Sequence, residues 1–186
     1  ALAMQTVSIT NVQAINESGT GTQASVAIGY GSQSKGTTVG SVVNPSVAVG
    51  TGSYAEGNSA LALGTRAWAK GSYSVSVGRE ATSSQDYGIA VGYQANVSAI
   101  HGMALGELAA ASGQISVAIG ASAKASIANS VALGSNSITD KDATEQKSTT
   151  INSITYNFAG ATSDKGMQVS VGAAGKERQI KNVAAG

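Results

Sequence analysis

A chain of 186 residues with 24 glycines but a single Pro, Phe and Trp holds too few bulky side chains to fill a thick globular core, although 42% of it is hydrophobic. Its formal charge of +1 is spread along the chain, which argues against a basic face for nucleic acid and a polybasic run for anionic lipid. Cysteine is absent, excluding a disulfide framework and a thiolate metal site, and no stretch has the form of a signal peptide or approaches the ~18 apolar residues of a membrane helix.

Residues 1–24 follow no repeat and read as an irregular first coil that caps what comes after. From there an apolar, small, apolar, Gly core recurs, as Val26-Ala-Ile-Gly29, Val47-Ala-Val-Gly50, Leu61-Ala-Leu-Gly64 and so on to Val131-Ala-Leu-Gly134, always fourteen residues apart after Gly50. The step from Gly29 to Gly50 is 21, so seven extra residues form a loop insertion at 37–43. Three residues after each glycine stands a small residue, among them Ser53, Ala67, Ala81 and Ala95. Two later comes a second, such as Ala55, Ala69 and Val97.

A fixed period implies a solenoid. Both recurring pieces alternate with period two and are separated by Gly-, Ser- and Asn-containing turns, so each repeat reads as two short strands. Two strands and two tight turns consume about fourteen residues, and each coil stacks on the next at ~4.8 Å. Helical repeats need about 30 residues or more, and calcium-binding nonapeptide rolls need an aspartate ladder that the chain lacks. Alternation alone leaves two ways to face the strand. The expected one points the Val, Ile and Leu ladder into the coil against the small residues of the second strand. In the other that ladder lies at a subunit interface. Either way a thin coil leaves a ladder bare, which oligomerisation would cover.

Surface columns follow from the period. Tyr54 and Trp68 share the column four after the glycine, beside Glu56 and Lys70, and form a candidate protein-binding spot, because Tyr and Trp anchor many interfaces. Tyr73, Tyr87 and His101 share a turn column and are expected to stack about 5 Å apart, either as ligand contacts or as rung stabilisers. No catalytic set is visible. His101 is the single histidine, and Glu56, Glu80, Asp86 and Glu107 fall in different columns or distant coils. No enzyme activity, metal or cofactor is therefore expected.

Beyond Ile138 the rhythm breaks. Gly134 to Gly172 spans 38 residues, one repeat plus 24, so an insertion occupies roughly 140–166. Within it Asp140-Lys-Asp-Ala-Thr-Glu-Gln-Lys147 reads as a solvated loop, and Ile154, Tyr156 and Phe158 alternate as a short strand. In the closing segment Ile180 and Val183 recur at a spacing of three beside Lys176, Glu177 and Arg178.

Asn129-Ser-Val-Ala-Leu-Gly-Ser-Asn-Ser137 and Ser46-Val-Ala-Val-Gly-Thr-Gly-Ser-Tyr-Ala-Glu-Gly57 resemble the head repeat of the YadA-like trimeric autotransporter adhesins, with the ubiquitous surface protein group nearest among them. Val169-Ser-Val-Gly-Ala-Ala-Gly-Lys-Glu-Arg-Gln-Ile-Lys-Asn-Val-Ala-Ala-Gly186 is similar to the family's neck. The resemblance implies an all-β, left-handed parallel β-roll, three parallel chains, a head over 1–139, and an inserted segment and neck over 140–186 leading to a coiled-coil stalk. It further implies a virulence-related adhesin displayed on the bacterial surface, anchored in the outer membrane through a C-terminal region absent here, with no direct membrane contact of its own. Its partners would be collagen, fibronectin, laminin or host-cell receptors. In the neck it implies cross-chain ion pairs through Lys176, Glu177 and Arg178, and burial of Ile180 and Val183 against partner chains. The Asn that opens the family motif is replaced by Pro45, Ser59, Tyr73, Tyr87, His101 and Ile115, so collagen contacts do not carry over residue by residue. A purely structural or ice-binding solenoid is the alternative, but ice binding wants a flat Thr ladder, which the mixed outward columns do not provide. A solenoid enzyme, acyltransferase or lyase, is opposed by the period and the missing catalytic clusters.

Overall fold

The structure is a computed structural model describing residues 13–14, 25–39, 42–159 and 166–184. Among these residues two nine-stranded parallel sheets run the length of a two-sided roll. One sheet collects the three-residue strands, Val26–Ile28, Val47–Val49, Leu61–Leu63, Val75–Val77 and their successors to Val131–Leu133. The other collects the two-residue strands, such as Tyr54–Ala55, Trp68–Ala69 and Thr82–Ser83. Register is one repeat per step: Leu61 lies on Val75, Val75 on Ile89, and Trp68 on Thr82. Parallel pairing demands a crossover between neighbours, and here the second strand and its two turns supply it within fourteen residues. The turns stack too, with the Gly64 N–H donating to Val49 O and the Tyr73 N–H to Asn58 O. The expected pile of fourteen-residue coils is the architecture observed.

The facing of the strands corrects the expectation that the aliphatic ladder points inward. Ala48, Ala62, Ser76, Ala90, Ala104, Ala118 and Ala132 are fully buried, while Val26, Ile28, Leu63 and Leu133 are exposed. The short strands are buried at Ala55, Ala69, Ser83, Val97, Ala111 and Ala125. Both inner faces are therefore small. Ala and Ser cannot bridge the ~10 Å between ordinary packed sheets, so the two sheets of the roll lie closer together. Turns of four residues hold the coil that thin, and a Leu turned inward would find no room. What remains is a chain whose core is mainly Ala and Ser and whose Val, Ile and Leu side chains line an outer face.

Among the described residues the largest fully buried side chain is Val97. It fits because the neighbouring column, Ser or Ala in the other coils up to Ser130, is glycine at 88 and 102. A Cβ on Gly102 would sit 2.8 Å from Val97 Cγ1, and one on Gly88 would sit 3.0 Å from it.

Two turns close each coil. In the first, the Ser53 N–H donates to Gly50 O, and in the second the Ala60 N–H donates to Gly57 O. Each carries a left-handed residue at its third position, as type II turns require: Arg66, Glu80, Gln94 and Leu108 at one corner, and Ser59, Tyr73, Tyr87, His101 and Ile115 at the other, all with φ between 51° and 60°. The column where the family motif has Asn is thus a left-handed position, which Asn tolerates better than most residues. Pro45 cannot adopt it and does not appear among the left-handed residues. The repeating glycine is required twice over, because Gly64 has a φ of 133° and a Cβ there would lie 2.6 Å from Gly78 O.

Two hairpins interrupt the roll. The seven-residue excess expected as a loop forms an antiparallel pair, Thr37–Val39 with Val42–Asn44. The segment after Thr139 contains a second, Ser148–Ile151 with Ile154–Asn157, turned by left-handed Asn152 and Ser153. Val169–Ser170 then pairs in parallel with Val131–Ala132 and resumes the long-strand sheet. The cap expected over 1–24 lies outside the described residues except Gln13–Ala14, which pairs with Gln33–Ser34.

Candidate functional site

The short-strand sheet carries the aromatic column on its outer face. Alternation buries Ala55 and Ala69 and turns Tyr54 and Trp68 outward, where parallel pairing puts them one rung apart. Their rings meet edge to face with centroids 5.7 Å apart. The Lys70 ammonium lies 3.6 Å from the Trp68 ring centroid, and Lys35 lies 5.3 Å from that of Tyr54, both within cation–π reach. Glu56 occupies the column between these lysines, one repeat before Lys70 and forming no ion pair with it. The proposed four-residue cluster is therefore brought together on one surface. Below it the same column continues as Thr82, Asn96, Ala110 and Lys124.

At one corner the turn column stacks as expected. Tyr73 and Tyr87 are 5.3 Å apart and 11° from parallel, and Tyr87 and His101 are 4.7 Å apart and 8° from parallel. Beside them Asp86 Oδ1 accepts a hydrogen bond from the Ser72 N–H across one repeat.

The opposite corner holds a polar cluster that the sequence reading passed over. Arg66 pairs with Glu80, Arg79 reaches it at 3.4 Å, and Gln94 Nε2 donates to Glu80 Oε2 at 2.7 Å. The Gln94 hydrogen bond, followed by the Arg66 and Arg79 charges, holds the Glu80 carboxyl below its ordinary range. Its signal was available, since 66, 80 and 94 are one repeat apart and carry cation, anion and amide.

At the roll's C-terminal end Arg178 closes the last coil of its own chain. Nη1 donates to Val171 O at 2.7 Å and Ser137 Oγ at 3.1 Å, and Nη2 donates to Ser135 O. Glu177 Oε1 accepts from the Gly175 N–H at 2.8 Å, and backbone N–H bonds lower its carboxyl pKa. Within one chain Ile180 and Val183 stand 71% and 72% exposed, so nothing among the described residues covers them. An open groove of about 660 Å³ beside Arg178 is lined by Ile138, Lys141, Val171 and Ala174. Among the described residues no cluster of His, Asp and Glu could hold a metal ion. No helix of the described residues is long and apolar enough to cross a membrane.

The family model described as YadA head domain repeat matches residues 45–67, 69–95, 83–107, 98–122 and 111–137. The collagen-binding domain of the Yersinia adhesin YadA is 29% identical over 88% of this chain and 66% of its own, with a TM-score of 0.50. A C-terminal YadA-like domain from Burkholderia pseudomallei is 54% identical over 40% of this chain and 33% of its own, with a TM-score of 0.36. This chain thus spans less than two thirds of either structure. No curated protein matches it. The head repeats run through the stacked coils described above, and the chain belongs to the YadA-like trimeric autotransporter adhesin heads.

Proposed function

We propose that the chain is the head and neck of a bacterial surface adhesin that works as a parallel homotrimer, with the head over 1–139 and the inserted segment and neck over 140–186. The observation that carries the trimer is the inverted patterning. Aliphatic side chains form a continuous outer ladder from Val26 to Leu133, several of them exposed, on a chain whose own core is mainly Ala and Ser. Contiguous apolar surface on that scale marks an interaction face. The YadA-like likeness supports display on the outer membrane through a C-terminal anchor, and attachment to collagen, fibronectin, laminin or a host-cell receptor. Binding of this kind performs no chemistry: identical modest sites, three per molecule, gain hold through avidity.

The contact surface in this reading is the Tyr54–Trp68 face with Glu56 and Lys70. In the neck, Ile180 and Val183 bury against partner chains in this reading, and Lys176, Glu177 and Arg178 make cross-chain ion pairs, Arg178 in addition to its hydrogen bonds within the chain. Surface plasmon resonance of the purified chain over immobilised collagen, fibronectin and laminin tests it. Trp68→Ala and Tyr54→Ala should each weaken the detected interaction roughly tenfold, the ~1.4 kcal/mol or more expected of an aromatic anchor. Unchanged binding by both variants would remove this face from the reading.

A further inference from the structure

Four consecutive rungs of one corner place Tyr73, Tyr87, His101 and Ile115 in the left-handed region, where Asn or Gly would cost less, and the other corner does the same with Leu108. Strain retained in this way points to a use. Tyr87, Ile115 and Leu108 are 49%, 52% and 44% exposed, so contacts within the roll, the aromatic stack included, leave about half of each side chain uncovered.

In a closed ring of three identical chains the contact is heterologous, one edge of a subunit meeting the other edge of the next. Here the edges are the two turn corners. Rotation without translation keeps every residue at its own height, and the corners of one coil are half a repeat apart. A residue of the Tyr–His corner therefore comes level with the midpoint between the residues seven before and seven after it on the neighbour's opposite corner.

That rule pairs unlike columns into a sensible contact. Tyr87 falls between Glu80 and Gln94, where its hydroxyl can donate to the carboxylate or accept from the amide. His101 falls between Gln94 and Leu108. Ile115 falls between Leu108 and Ser122, so the exposed aliphatic of one corner meets the exposed aliphatic of the other. Asn129 falls between Ser122 and Asn136, polar against polar. A slip of one repeat in one direction would set Ile115 beside Ser122 and Asn136 and Leu108 beside Tyr87 and His101, and in the other direction it would set Ile115 beside Gln94 and Leu108.

We infer that the two turn corners form the seam between protomers, with Tyr87, His101 and Ile115 of one copy seated against Glu80, Gln94 and Leu108 of the next. The occupant is a second copy of this chain, and the inference rests on the trimer proposed above. It assigns the aromatic stack to assembly and to the specification of register.

Because the chain has no cysteine, disulfide trapping is clean. Leu108→Cys with Ile115→Cys in one chain should give covalent trimers as the main non-reduced species on a denaturing gel. Within a chain the two positions lie at opposite corners, roughly 15 Å apart along extended backbone, too far for a disulfide. Each single variant should stay uncrosslinked. So should Tyr73→Cys with Leu108→Cys, which differ in height by two and a half rungs, about 12 Å. Light scattering of the same samples separates the outcomes. A trimeric mass without crosslinks, or equal crosslinking by the mismatched pair, would overturn the seam alone. A monomeric mass would overturn the trimer and the seam with it.

Discussion

Gly102 and Val97 are a fitted pair, and the fit has a measurable size. Val97 is fully buried, and truncation to Ala removes two methyl groups, about 1.6 kcal/mol of transfer energy, plus a cavity term, for a loss of about 2–3 kcal/mol. Gly102→Ala adds a Cβ 2.8 Å from Val97 Cγ1 and 3.1 Å from Ala99 O, an overpacking cost of about 1–3 kcal/mol. Gly102 is not in the left-handed region, so the variant tests space rather than backbone strain. In the double variant the new methyl enters the volume that Val97 leaves. The double variant should then be no less stable than Val97→Ala alone, a coupling of about 1–3 kcal/mol. Urea unfolding followed by circular dichroism at one fixed protein concentration measures all four corners of this cycle. Additivity within ~0.5 kcal/mol would refute the claim that glycine stands at 102 to admit valine at 97.

Three further outcomes follow from the geometry. Leu63→Ser and Leu105→Ser on the outer ladder should keep the β-type circular dichroism spectrum while lowering the mass seen by light scattering, whereas Ala62→Val, pointing inward, should cost about 1–3 kcal/mol of stability. Arg178→Ala removes hydrogen bonds to Ser135 O, Ser137 Oγ and Val171 O and should speed amide hydrogen exchange around Ile138, with Arg178→Lys failing to restore protection because an ammonium cannot span the same acceptors. The Glu80 carboxyl has a folded pKa below the ordinary 4.5, so its contribution is complete above the unfolded value and is lost as pH falls through the folded one. Glu80→Gln should therefore lose only the part of the acid-side fall in melting temperature that this group supplies, and an unchanged acid limb would contradict it.

Fold and site were legible in the sequence to different depths, for physical reasons. The fourteen-residue step could be read because the glycine column is imposed by backbone: at Gly64 both φ and the carbonyl of Gly78 exclude a side chain. Columns one repeat apart had to be neighbours, so Tyr54 on Trp68 and the Tyr73–Tyr87–His101 stack could be named in advance. Facing could not be taken from alternation, since period two divides residues into two sets without saying which set lies inside. The discriminating sign was present but overlooked: the columns of Ala62, Ala67 and Ala69 never hold anything larger than Val97, and columns that stay small in every rung are the ones with no room. The Arg66–Glu80–Gln94 cluster was missed because Glu80 was weighed only as a catalytic carboxylate and never read with Arg66 and Gln94 as a ladder. The hairpin at Thr37–Asn44 was read as a loop, because seven residues carry too little pattern to show antiparallel pairing.

The account depends on slender coils whose greasy outer ladder is closed by sister chains, and the molar mass of the purified chain in solution tests this most directly. Multi-angle light scattering across a dilution series should return three times the 18.3 kDa of the chain, unchanged by dilution through the micromolar range. A well-folded, β-rich species of 18.3 kDa would contradict it.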